Sequence, residues 1–216
     1  MSLYVSDSGG SFERCPSGVH LARCYRIIDI GTQKITYMGE SKFSHQVMFS
    51  WEIHGEDDNG SPIKMKDGRP YSVLKTYTLS WSEKANLRLD LQSWRGKSFT
   101  QEELRRFDLK NVLGVWCQLN IMDQTSANGK TYSNVKGITP VPSFIKQRGF
   151  PEGSNKLELF NIAEPDMEMF QTFSDNLKGK IESTPEWQKI ILKRKSVNET
   201  LPTSQSDSEE DSDIPF

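Results

Sequence analysis

No stretch of the 216-residue chain approaches the roughly 18 consecutive apolar residues of a membrane-spanning helix. Residues 1–10 have neither the basic segment nor the apolar segment of an export signal, so a cytoplasmic protein is expected. Cysteine is scarce: Cys15, Cys24 and Cys117 are odd in number and lack C-x-x-C spacing, which argues against a disulfide framework. The three histidines, His20, His45 and His54, do not complete a zinc pattern, and no metal or cofactor is expected. G-x-S-x-G, H-E-x-x-H, a Walker loop and a dinucleotide glycine fingerprint are all missing, so the chain does not read as an enzyme. Basic residues are missing from the last 21 positions. Those positions hold Glu199, Asp207, Glu209, Glu210, Asp211 and Asp213, leaving 27 basic against 23 acidic groups in residues 1–195. The net charge of -2 therefore divides into a body of about +4 and a tail of about -6. That asymmetry suits a surface for a polyanion joined to a detached acidic arm, or more blandly an ordinary domain with a solubilising tail.

What is present reads first as β structure. Residues 1–18, rich in Ser and Gly, show no periodicity and predict a flexible lead-in. Residues 19–30 read as a strand that stops in a turn at Gly31-Thr32-Gln33. In residues 42–54, Phe43, His45, Val47, Phe49, Trp51 and Ile53 alternate with polar positions, predicting a strand with one buried face that includes Phe43, Phe49 and Trp51. A polar loop (55–67) precedes a third strand (71–81). Ser82 then predicts the cap of a helix ending at Gly96, and Thr100-Gln101-Glu102-Glu103 has the form of a capping box. Strands resume at 112–122 and 130–141, joined through Asn128-Gly129. Strand, strand, strand, helix, strand, strand is the order of an OB-fold, a five-stranded Greek-key barrel with its helix between strands 3 and 4; another small barrel or sandwich is the competing reading. The predicted fold is thus mainly β, with an OB domain over 19–142. A helical extension over 143–195 packs on the barrel, with helices from Pro165 to Leu177 and from the Thr184 cap to Lys195, and a disordered acidic tail follows over 196–216.

The barrel region interleaves aromatic residues with bases: Tyr25-Arg26, Lys42-Phe43, Lys75 with Tyr77, Trp81, Trp116, Lys130 with Tyr132, and Lys136. Single-stranded nucleic acid is held by stacking bases on aromatic faces while a positive groove tracks the phosphates, so Tyr25, Arg26, Lys42, Lys75, Tyr77, Trp81, Trp116, Lys130, Tyr132 and Lys136 are the candidate DNA-binding residues. Any one aromatic can instead fill the core. Trp116 is the exception, because Gln118 and Asn120 put it on the polar face of its strand.

The last ten residues, DSEEDSDIPF, resemble the C-terminal tip of bacterial single-stranded DNA-binding proteins. The segments GVHLARCYRIIDIGTQ, GRPYSVLKTYTLSWSEKANLRLDLQSWRGK and NGKTYSNVKGITPV resemble the bacteriophage-type members of that class over about residues 18–142. The resemblance implies a non-catalytic protein that coats single-stranded DNA in phage or bacterial replication, recombination or repair, within the host cytoplasm if phage-encoded. It also implies that Asp211, Asp213, Ile214, Pro215 and Phe216 dock replication and recombination proteins. The long 55–67 loop and the helical extension depart from the bacterial type and leave its tetramer in doubt. Two other classes remain: a recruitment adaptor whose barrel binds protein, and a sugar-binding module, which would need no acidic tail.

Overall fold

The computed structural model describes residues 13–37, 39–57, 60–126 and 128–199. Asp211, Asp213, Ile214, Pro215 and Phe216 lie outside the described residues, as do residues 1–12 of the predicted lead-in. The fold is mainly β. Strands β1 (Gly18–Tyr37), β2 (Glu40–His54), β3 (Ser72–Thr78), β4 (Trp116–Thr125) and β5 (Thr131–Thr139) lie in the order β3-β2-β1-β4-β5 with antiparallel neighbours. A short β6 (Glu158–Phe160) adds in parallel to β1 at Arg26, Ile27 and Ile28. β3 and β5, the two ends of the order, come close to one another, and α1 (Asn86–Arg95) packs against both. Among the described residues no helix is long and apolar enough to cross a membrane.

β1 is longer than its sequence suggests. Its pairing with β2 skips one residue at Tyr25 and another at Ile30, so the strand is bulged twice but not ended. Gly31 takes φ 69°, a left-handed conformation that glycine adopts at little cost, and the Asp29 carboxylate accepts its N–H at 2.9 Å. The predicted turn at Gly31-Thr32-Gln33 is therefore a bulge, beyond which β1 and β2 continue as a two-stranded ribbon. The bulges also shift which side chains face which side. Ala22, Cys24 and Ile27 face the inner core with Val47, Phe49, Trp51 and Ile53 of β2 and Cys117, Leu119 and Ile121 of β4. Ile28 and Ile30 face outward, into a second core with Phe160, Ile162, Phe170, Phe173, Ile181 and Trp187. Phe43, expected in the core, is 73% exposed because it lies on the ribbon past the reach of either core.

The helices depart from expectation at their ends. α1 starts from Ala85 with no side-chain cap, so Ser82 does not cap it, while Gly96 closes it in the left-handed conformation as expected. α2 (Gln101–Arg106) carries the reciprocal Thr100–Glu103 capping box. A 3-10 turn (Leu109–Val112) leads into β4. The stretch read as one helix from Pro165 to Leu177 is two, α4 (Met167–Gln171) and α5 (Asp175–Glu182), because the Ser174 hydroxyl caps a new start. α6 (Pro185–Glu199) starts at the Thr184 cap and runs past Lys195, so the first residues of the predicted disordered tail are helical. Residues 13–17 are not loose either: the Ser133 hydroxyl donates to the buried Cys15 carbonyl, and Arg14 pairs with Asp123.

Candidate nucleic-acid interface

The inner residues of β1, β2 and β4 are apolar and buried, so alternation sends Val19, Leu21 and Arg23 of β1 to the opposite, outer face. Across from them on β4 stand Asn120, Gln118 and Trp116, and on β2 His54 faces Leu21 while Glu52 faces Arg23. After β5 the chain turns back across this face as α3 (Ser143–Arg148) and then as an extended strap, residues 149–157. Between sheet and strap lies a groove of about 610 Å³, floored by Val19, Leu21, His54 and Gln118. One wall is the 55–70 loop with Lys64; the other is α3 with Arg148 and Phe144, the latter 60% exposed. A second groove of about 570 Å³ is lined by Arg95, Phe107, Val115, Lys146, Trp116 and Phe150. Within that second groove the Phe150 ring is stacked on the Trp116 indole, centroids 5.2 Å apart and planes within 2°.

The strap is anchored by a buried ionic knot. Glu52 is completely buried, yet it sits on the outer face of the sheet because the strap covers it. Arg23 Nε donates to its Oε1 at 2.6 Å, and the backbone N–H and side-chain amide of Asn155 donate to Oε2 at 2.7 and 2.6 Å. Ser154 N–H adds a contact at 3.2 Å, and His54 Nε2 lies 3.3 Å away. Burial by itself pushes the Glu52 carboxyl upward. The Asn155 hydrogen bonds, His54 and the Arg23 charge outweigh it and hold the group below the usual glutamate range. Arg23 also reaches the Asn155 carbonyl with Nη2 at 2.6 Å, so a single guanidinium ties sheet and strap together.

The residues singled out from the sequence distribute unevenly over this surface. Tyr77 is buried in the inner core, edge-on to Phe49, and its hydroxyl donates to Asp90 of α1 at 2.8 Å. Lys75 shares that inner face and bonds the same Asp90 oxygen at 2.5 Å, so neither is presented to a ligand as expected. Burial and the Asp90 charge push the Tyr77 hydroxyl far above its usual range, which keeps it a neutral donor. Tyr25 is likewise buried, bonded to Ser72, and Arg26 pairs with Glu158 of β6. Trp81 packs edge-on against Phe99 and Phe107, over which the Arg95 guanidinium lies. Each of these residues has a partner on another element, and of the five only Tyr25 and Tyr77 are fully buried. Trp116 is on the outer face as expected, but Phe150 covers it.

Lys42, Lys130, Tyr132 and Lys136 are exposed. Lys42 is on the β1–β2 ribbon, and the other three are on the β4–β5 hairpin, where Lys136 donates to Gln124 at 2.9 Å. The hairpin continues the grooved outer face through Met122, half exposed, paired opposite Asn134. Lys64, Phe144, Arg148 and Phe150 went unnoticed in the sequence, and His54 was weighed only for a metal role. The nearest signal was Pro142 followed by SFIKQR, an aromatic and two bases in a short helix start. Among the described residues no group of His, Cys, Asp and Glu is arranged to hold a metal ion. The thiols are buried, and burial pushes Cys15 up to about 12 and Cys24 and Cys117 well above their usual range, so all three are poor nucleophiles. No family model matches the chain, and a search of curated proteins finds no matching relative.

Proposed function

We propose that the chain is an OB-fold single-stranded DNA-binding protein, non-catalytic and tolerant of sequence, with an acidic C-terminal tip that recruits partners in phage or bacterial DNA metabolism. The strand order β3-β2-β1-β4-β5, with α1 following β3, supports this reading, since it is the order an OB barrel would require. The observation that carries the reading is the outer-face groove. It combines a mixed floor of Val19, Leu21, His54 and Gln118 and the exposed Phe144 with a cation on each wall, Lys64 and Arg148, beside the carboxylates Glu56 and Glu152. Stacking platforms within a positive groove are what a single strand requires whatever its sequence. Lys130, Tyr132 and Lys136 extend that path along the β4–β5 hairpin.

The test is oligo-dT affinity measured against salt concentration. Each phosphate contact neutralised on a single strand contributes about 0.7 to the slope of log K against log salt. Lys64→Ala and Arg148→Ala should each reduce the slope by about that amount. Lys75→Ala should leave it unchanged, since that ammonium is committed to Asp90. Absent or salt-insensitive binding would refute the proposal and favour the protein-binding adaptor.

A further inference from the structure

We infer that the indole face of Trp116 is a base-stacking subsite that the chain closes with its own Phe150, and that a bound strand opens it by displacing that ring. The inference rests on the DNA-binding reading and adds to it an internal competitor. Phe150 lies on Trp116 as a nucleobase would, with planes 2° apart and centroids at 5.2 Å, while His54 packs against Trp116 at a steep angle. The pair is not a core contact: Phe150 is 42% exposed and Trp116 is half-buried. It lines the second groove beside Lys146 and Arg95, the latter paired with Glu103, while His54, packed on Trp116, lines the first. Removing the Phe150 ring would uncover the indole face within the second groove, whose lining also carries Lys146.

The strap is built so that the ring can leave. Gly149, directly before Phe150, has φ 85°, and a Cβ placed on it would meet nothing within 4 Å, so the chain beside the ring is not packed in at that point. No hydrogen bond to the rest of the described residues holds residues 150–153; the next anchor is Ser154 and Asn155 on Glu52. Phe150 can therefore swing out between two fixed points, the end of α3 and the Glu52 knot. The energetics favour a base over the phenyl ring. An aromatic side-chain pair is worth about 2- to 12-fold in an equilibrium constant, whereas a base stacked on an aromatic side chain is worth about 5- to 140-fold. The self-stack thus lowers affinity without preventing binding, and it keeps the indole covered when no strand is present.

The experiment compares the full chain with Phe150→Ala and Phe150→Leu, the latter keeping apolar bulk without a ring, after thermal melts establish that each is folded. Two probes are titrated at one salt concentration: oligo-dT and an abasic deoxyribose-phosphate oligomer of equal length. Both variants should bind oligo-dT about 2- to 12-fold more tightly and bind the abasic oligomer as the unaltered chain does. In a Trp116→Ala background the gain from Phe150→Ala should vanish. Unchanged or weaker oligo-dT binding by both variants, or an equal gain on the abasic oligomer, would overturn the inference while leaving the DNA-binding reading intact. Failure of the unaltered chain to bind oligo-dT would instead remove that reading, and the inference with it.

Discussion

Alanine at position 153 would place a methyl carbon inside the guanidinium of Arg23. A Cβ built on Gly153 falls 1.7 Å from Arg23 Cζ and about as close to both terminal nitrogens, separations no pair of atoms tolerates. An arginine tip is normally free to move aside, but this one is held by Glu52 at 2.6 Å and by the Asn155 carbonyl at 2.6 Å. Either the guanidinium leaves both acceptors or the strap lifts and takes Ser154 and Asn155 off Glu52. Two hydrogen bonds made by a charged donor are worth about 1.5–3 kcal/mol each. Removing one partner of a buried ion pair costs about 3–5 kcal/mol, so the two routes to the magnitude agree. For a domain of this size, 3–5 kcal/mol lowers the melting temperature by about 6–20 °C. The assay is a double-mutant cycle read by thermal or urea unfolding: Gly153→Ala in the unaltered chain and in Arg23→Ala. The substitution should cost about 3 kcal/mol or more in the first and close to nothing in the second, where the obstacle is gone. If the strap opens alone, the global melt underreports the cost, and hydrogen exchange at Ser154 and Asn155 should speed up instead. A cost below about 0.5 kcal/mol with unchanged exchange, or equal costs in both backgrounds, would refute the idea that Arg23 is clamped.

The same knot has a pH dependence with a definite sign. Glu52 is held below its ordinary value in the folded chain, so its contribution is complete above the ordinary glutamate pKa and is lost as pH falls through the lowered one. Strap amides, corrected for intrinsic exchange, should lose protection below about pH 4; a Glu52→Gln variant showing the same acid loss would assign the effect to another group. At the β1 bulge, Gly31→Ala would force alanine to φ 69° and set its Cβ 2.8 Å from Ile162 Cδ1 and 3.0 Å from Thr184 Cγ2. Left-handed strain alone is about 1–2 kcal/mol, so a loss of at least 2 kcal/mol in urea unfolding is expected; a change under about 0.5 kcal/mol would show that the α6 start is not seated on this glycine.

Local signals carried much of the fold, because the physics behind them is local. The Thr100–Glu103 box, the Gly96 stop and the Thr184-Pro185 start each depend on a few neighbouring residues, and all three are present. The β2 alternation held wherever a core lay opposite and failed at Phe43, where the ribbon leaves it. Gly31 was misread because a glycine in a left-handed conformation serves a turn and a bulge equally. Which one forms depends on whether β2 continues alongside and whether Ile162 and Thr184 fill the space above.

The site was less legible, for a reason that β3 makes concrete. In SVLKTYT the apolar Leu74 points outward, 57% exposed, while Lys75 points inward. That polarity is stable only because Asp90, on α1, receives both the Lys75 ammonium and the Tyr77 hydroxyl. A base on a strand of such a sheet thus reads as a groove residue until its partner is known, and the partner is a tertiary fact. Arg23 repeats the case on the other face: its position on the exposed side of the sheet suggests a phosphate ligand, yet Glu52 and the strap consume its charge. What separates a binding base from a structural one is whether a carboxylate comes within reach on folding. By that criterion Lys64 and Arg148, which form no ion pair with a carboxylate among the described residues, are the stronger candidates to meet a phosphate, with Glu56 and Glu152 of the same groove as the competing anions.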